Sequence, residues 1–161
     1  MKVLAVPQQP VVTNILALKE LVGQEIAVSE YLQVNQGQVN QFAEVTLDKQ
    51  WIHVDVQRAA ENSPFKGTIL HGFLALSLFP HFVHSCIQIQ GVAISISCEL
   101  KYARFVAAIP VGSLLRARIK LSGTKDIKDG VEATWFITVE RKGGMLPCCI
   151  AEWVVAYRAE S

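Results

Sequence analysis

The sequence predicts an α+β fold in which a curled antiparallel sheet wraps around one long central apolar helix. Three observations carry this. Residues 68–83, Thr-Ile-Leu-His-Gly-Phe-Leu-Ala-Leu-Ser-Leu-Phe-Pro-His-Phe-Val, form the longest apolar run, and a helix apolar on every side must be covered by other structure. Four later segments alternate apolar and mixed residues with period two, the mark of half-buried strands. Turn residues separate those segments.

Taken in order, Thr13 to Val22 places Ile15, Leu16, Leu18 and Leu21 on one helical side, and Gly23 suits its end. Glu25 to Val34 reads as a strand. Asn35 suits the cap of a helix running to about Val45, with Val39, Phe42 and Ala43 as its apolar face. A polar loop with Asp48, Trp51 and His53 follows, and Asp55 caps a short helix through Ala60. The 68–83 helix comes next, with Gly72 near its start. From Val92 to Tyr102, Val92, Ile94, Ile96, Cys98, Leu100 and Tyr102 form one face of a strand. Leu115, Ala117, Ile119 and Leu121 form the next face. Val131, Ala133, Trp135, Ile137 and Val139 form a third, and Cys149, Ala151, Trp153, Val155 and Tyr157 a fourth. Ile109-Pro-Val-Gly112, Lys128-Asp-Gly130 and Gly143-Gly144 supply the turns. A hairpin centred near Asp126 would set Lys120 opposite Glu132, a cross-strand pair on a solvated face. The alternative use of Arg116, Arg118 and Lys120 is contact with phosphates.

The chain of 161 residues suits one domain, residues 1–161, with residues 1–24 as an N-terminal extension and helix. Apolar residues make up 51% and charged residues 18%, against about 45–50% and about 25% in typical domains. The excess fits a subunit interface. A net charge of +1 gives no field for nucleic acid. The N-terminal MKVLAVPQQP lacks the apolar core of a signal peptide. The 68–83 run is shorter than the roughly 20 residues a membrane span needs. Cys86, Cys98, Cys148 and Cys149 have no CxxC spacing, which suits free thiols in a reducing cytoplasm.

The densest chemistry is Asp48-Lys-Gln-Trp-Ile-His53-Val-Asp55, followed by Gly67-Thr-Ile-Leu-His71-Gly72. Adding water to an activated double bond needs a base for the water and an acid for the neighbouring carbon. A carboxylate and an imidazole supply both near neutral pH. The conjugated carbonyl must also be polarised, and a free backbone N–H at a helix start does that. Gly72 lies where such an N–H could be offered, and it lets a substrate come close. The same residues also fit a blander role, with Asp48 closing a loop and His53 packing a core.

Phe42-Ala-Glu-Val-Thr-Leu-Asp48-Lys-Gln-Trp-Ile-His53-Val-Asp55, then Ala59, then Gly67-Thr-Ile-Leu-His71-Gly72-Phe-Leu-Ala-Leu-Ser-Leu, resembles the MaoC-like dehydratases, the (R)-specific enoyl-CoA hydratases. Gln-Trp-Ile-His resembles the NodN-like branch, and Arg104-Phe105 with Ile109-Pro-Val-Gly-Ser113 echoes the next segment. The match is dense over about residues 26–122. The resemblance implies a hot-dog fold, usually dimeric, with the site near the subunit contact. It implies that Asp48 and His53 are the catalytic pair and that the Gly72 N–H faces the thioester oxygen. Gln50, Trp51, Gly67 and His71 are carried as supporting positions. It implies acyl thioesters of coenzyme A or acyl carrier protein as substrates, a (3R)-hydroxyacyl product, and no metal or redox cofactor. The chain departs from the fuller Asp-x-Asn-Pro-Leu-His motif: Gln50 and Trp51 stand at the Asn and Pro positions, and Leu47 replaces a common glycine. Residues 97–103 differ from the usual Asn-Tyr-Gly-containing strand, which bears on the acyl pocket.

Other patterns carry less. Ser63-Pro-Phe-Lys66 fits Ser-x-x-Lys without its companion motifs. His81, His84 and Cys86 lack a second ligand pair for zinc. Two rival functions are a thioesterase that activates water against the carbonyl, and a non-catalytic thioester-binding subunit.

Overall fold

The structure is a computed structural model that describes residues 10–159; the readings made on residues 1–9 lie outside them. Strand β1 (Val11–Asn14) leads into a 3-10 turn at Ala17–Leu21. Short strands β2 (Glu25–Val28) and β3 (Leu32–Gln33) follow, then helices α1 (Gln36–Thr46), α2 (Trp51–Val54), α3 (Val56–Asn62), α4 (Gly72–Ser77) and α5 (Phe79–Cys86). Strands β4 (Ile87–Gln90), β5 (Val92–Phe105), β6 (Leu114–Ile127), β7 (Gly130–Arg141) and β8 (Cys149–Ala159) complete the chain.

The large sheet runs β2-β6-β7-β8-β5, with β3 also on β6, and every pairing is antiparallel. The apolar faces read from period two are the core. Leu115, Ala117, Ile119 and Leu121 on β6 are inaccessible, as are Val131, Ala133, Trp135, Ile137 and Val139 on β7. They cluster with Phe79, Phe82 and Val83 of α5 and Leu74 and Ala75 of α4. Each large apolar side chain buried this way contributes about 1.5–3 kcal/mol. Trp135 also donates its indole N–H to the Tyr157 hydroxyl at 3.0 Å. The sheet packed over its helices is the hot-dog fold.

Several local expectations are corrected. The 68–83 run is not one helix. Thr68 to His71 are extended, with Leu70 donating to the Ile109 carbonyl at 2.8 Å and Val111 to Thr68 at 2.9 Å. The helix then breaks at Leu78, because Pro80 has no N–H to give and its ring crowds the preceding turn. Phe73 is 68% exposed, so α4 is not apolar-buried all round. Thr13 to Val22 splits into β1 and the 3-10 turn, since β1 pairs in parallel with the distant β4. The strand from Glu25 to Val34 is interrupted at Ser29, whose hydroxyl accepts the Ala117 N–H at 2.9 Å. The β6–β7 turn falls at Lys128–Asp129, with Asp129 left-handed at φ 60. A register shift between Leu121 and Gly123 adds to this, so Lys120 faces Phe136 and Lys125 faces Glu132. Two of the three cations in the basic stripe are paired: Arg116 with Glu140 at 3.0 Å and Arg118 with Glu25 at 2.7 Å. That supports the cross-strand use of these cations over phosphate contact. The Val92–Tyr102 face lies on the sheet edge and is exposed along β5.

Candidate active site

Asn35, two residues past β3, starts α1 through a complete capping box with Gln38. Helix α1 closes at Leu47, which is left-handed at φ 61. This sharp exit delivers Asp48 to the surface, its side chain 56% exposed. One turn later α2 carries His53 inward, 7% exposed. Asp55 then caps α3 by accepting the Arg58 N–H at 3.0 Å.

His53 Nδ1 lies 2.7 Å from the Ile69 carbonyl oxygen. A carbonyl only accepts, so Nδ1 carries the proton and Nε2 presents a lone pair. Burial pushes the His53 pKa below its ordinary value; the Ile69 hydrogen bond opposes this, His71 adds to it, and Asp48 opposes it. His71 Nε2 lies 2.9 Å from the Asp48 carbonyl and 3.9 Å from its carboxylate. The His53 and His71 rings stack at 3.8 Å and 26°.

Gly72 is the first residue of α4, so its N–H has no intrahelical partner. It lines a cavity of about 360 Å³ together with His53, Ile69, Leu70, Phe73, Ala75, Phe105 and residues 106–109, and Cys148 and Cys149 close it. The lining is mostly apolar, which suits an acyl group. A Cβ at Gly72 would lie 2.9 Å from the Phe105 ring. A second cavity of about 410 Å³ lies between α4, α5 and β5 and holds neither catalytic candidate. Chemistry rather than size therefore assigns the site to the first.

The structure thus brings Asp48, His53, His71 and Gly72 to one end of the helices. Of these four only His53 and Gly72 line the cavity; Asp48, His71 and the other supporting positions lie outside its lining. Gln50 is the residue before α2, Trp51 lies under the Arg58 guanidinium at 4.4 Å, and Gly67 has open space around it. Two contributors went unread in the sequence. Gln36 donates to the His53 carbonyl at 2.7 Å and accepts from the Thr68 hydroxyl at 2.6 Å, tying α1, α2 and the pre-helix segment together. Phe105 walls the cavity against Gly72. A glutamine in the first turn of a helix carries no signal of such a role; Phe105 stood only within the matched segment.

One donor atom each from Asp48, His53 and His71 lie within 4.8 Å of one another, a spacing that invites a metal. The rings argue against it. His53 Nδ1 and His71 Nε2 already engage carbonyls. The remaining lone pairs lie in nearly parallel planes, which do not converge on one ion about 2.0–2.1 Å from each nitrogen.

The family model for the MaoC like domain matches residues 18–140. The chain is 42% identical over 147 residues to 3-hydroxyacyl-thioester dehydratase Z of Mycobacterium tuberculosis (strain ATCC 25618 / H37Rv), over 91% of this chain and 97% of that protein. Nodulation protein N of Rhizobium meliloti (strain 1021) is 34% identical over 139 residues, 85% of this chain and 86% of that one. Among solved structures, an (R)-hydratase from A. caviae involved in PHA biosynthesis superposes with a TM-score of 0.68 at 26% identity, covering 83% of this chain and 94% of that one. R-Hydratase PhaJ1 from Pseudomonas aeruginosa, unliganded, gives 0.69 at 22% identity over 86% and 83%, a likeness of fold. By the extent of the family match and of the 42% identity, the chain belongs to the MaoC-like domain family.

Proposed function

We propose that this protein is a hydro-lyase that reversibly hydrates a trans-2-enoyl thioester of coenzyme A or acyl carrier protein to the (3R)-hydroxyacyl thioester. The observation that carries this is the free Nε2 lone pair of His53, directed by the Ile69 carbonyl, in the apolar cavity that Gly72 also lines. Water held by the Asp48 carboxylate and His53 Nε2 attacks C3. His53 takes one water proton, the oxygen bonds to C3, and charge gathers on the thioester oxygen at the Gly72 N–H. The proton then returns to C2, so one water is added and nothing is left over. The (3R) outcome rests on the family likeness.

No cofactor is needed by this chemistry, and coenzyme A enters only as the carrier. The reaction belongs in the cytoplasm, in keeping with four free cysteines. Among the described residues no helix is long and apolar enough to cross a membrane, and neither membrane nor nucleic acid is a proposed partner. The working unit is a homodimer. Support comes from β5, an edge strand that exposes Ile94, Ile96, Leu100, Tyr102 and Phe105; open apolar edges invite pairing. Light scattering showing an active 17.8 kDa particle would sink the dimer.

The test is turnover of crotonyl-CoA and longer 2-enoyl-CoAs, followed by loss of conjugated absorbance, with chiral chromatography of the product. Absorbance loss without free thiol is expected. Thiol release instead would assign a thioesterase, and no turnover of any chain length would leave a non-catalytic thioester-binding subunit.

A further inference from the structure

His71 makes a set of contacts that the proposed reaction does not itself use. It is 3% exposed and precedes the first residue of α4. One edge of its ring, Nε2, meets the Asp48 carbonyl at 2.9 Å. One face lies on the His53 ring at 3.8 Å, and Phe42 of α1 packs at 5.1 Å, tilted by 52°. Its Nδ1 is buried and has no hydrogen-bond partner among the described residues. A carbonyl accepts only, so the proton sits on Nε2 and Nδ1 keeps its lone pair. A proton on Nδ1 would be a buried donor with nothing to receive it, at a cost of about 1–3 kcal/mol.

We propose that His71 is a positioning residue of the hydration site, whose Nε2–H fastens the backbone of Asp48 while its ring face holds the His53 imidazole. The inference rests on the hydratase reading and deepens it. Through one side chain, the exposed carboxylate, the buried base and the residue before Gly72 are held in fixed relation. Asp48 sits on a surface loop just after a left-handed residue, and its Oδ1 meets only the Gln50 N–H, at 3.5 Å. The backbone anchor from His71 is therefore what fixes that carboxylate's origin. Misplacement by about 1 Å can cost about 10²-fold in rate.

The titratable groups facing His53 are Asp48 and His71. With its one proton on Nε2, His71 is neutral and brings no net charge to His53, so its part in the reaction is positional.

The test uses the full chain with ¹⁵N-labelled histidine, alongside steady-state kinetics of wild type, His71→Phe and His71→Gln. Phe keeps the ring face and loses the N–H; Gln keeps an N–H and loses the ring. In wild type the His71 signals should show Nε2 protonated and Nδ1 bare. His71→Gln, which keeps an N–H toward the Asp48 carbonyl, should retain more kcat than His71→Phe. In His71→Phe, kcat should fall about 10–100-fold with KM little changed. A wild-type spectrum with the proton on Nδ1 overturns the proposal even where neither variant folds. So does a kcat in His71→Gln no higher than in His71→Phe, which marks a purely structural role. A wild-type protein that hydrates no enoyl thioester sinks the hydratase reading instead, and the labelled spectra still decide the geometry of His71.

Discussion

Replacing Leu47 by glycine should stabilise the protein. Leu47 ends α1 at φ 61 and ψ 11, the left-handed region where a Cβ crowds the backbone. For an L-residue that conformation costs roughly 1–2 kcal/mol. Glycine escapes it but brings back about 0.5–1 kcal/mol through the greater freedom of the unfolded chain. The leucine side chain is 79% exposed, so little buried apolar area is lost with it. The balance is a gain of about 0.5–1 kcal/mol, or roughly 1–4 °C in Tm for a chain of this size. Urea titration of wild type, Leu47→Gly and Leu47→Ala gives the comparison. Alanine keeps the Cβ and should gain nothing. An unchanged m-value with a higher midpoint for glycine alone is the expected result. Glycine equal to or below wild type would refute the reasoning, and would mean that the side chain is covered in the working assembly or that the turn is not strained.

Asp48→Asn and His53→Gln should each fold by circular dichroism and lose about 10²–10⁴-fold in kcat/KM on the best enoyl thioester; near-wild-type turnover by either removes that residue from the proposed chemistry. Because burial lowers the His53 pKa below its ordinary 6.5, the base stays unprotonated through neutral pH. The acid limb of kcat/KM should therefore lie below pH 6.5, and a limb centred above 7 contradicts the assignment. The stability sign follows from the same shift: as pH falls below 6.5 the unfolded chain takes up the proton first, so the His53 contribution is intact above 6.5 and falls away down to the folded pKa. Gly72→Ala should lose activity and about 1–3 kcal/mol of stability, since the new Cβ meets the Phe105 ring. Phe105→Ala in the same chain should recover the stability, as read by thermal unfolding, and no recovery would place the strain elsewhere.

What could be read from the sequence followed local rules. Asn35 and Asp55 cap their helices because a short polar side chain reaches the N–H two or three residues on. The faces of β6 and β7 alternate cleanly because each has one side in the core and one in water. What failed depended on distant partners. The parallel pairing of β1 with β4 and the extension of Thr68 to His71 along Ile109 and Val111 are made by residues far away in sequence. Asp48, His53 and Gly72 stood out because their residue types and spacing matched a known order. Gln36 did not, since its side-chain amide acts through a hydrogen bond to the His53 backbone carbonyl that exists only after folding.

Strand β5 shows why alternation alone does not report burial. Its even positions from Ile94 to Tyr102 read as a core face, yet they lie on an edge strand and stay exposed. The pattern is satisfied only when something covers that edge, which is the role the proposed dimer gives to a second copy. The same strand walls the larger cavity through Ser97, Cys98, Glu99 and Leu100. It ends at Phe105, whose ring rests against Gly72 and meets Phe73 edge-on at 5.6 Å. Packing forces on β5 therefore reach the proposed oxyanion donor through one aromatic ring, with no hinge between. In the proposed dimer, covering this edge and shaping the cavity would be one event, and the acyl group accepted would depend on the β5 contact as well as on the cavity lining at Cys148 and Cys149.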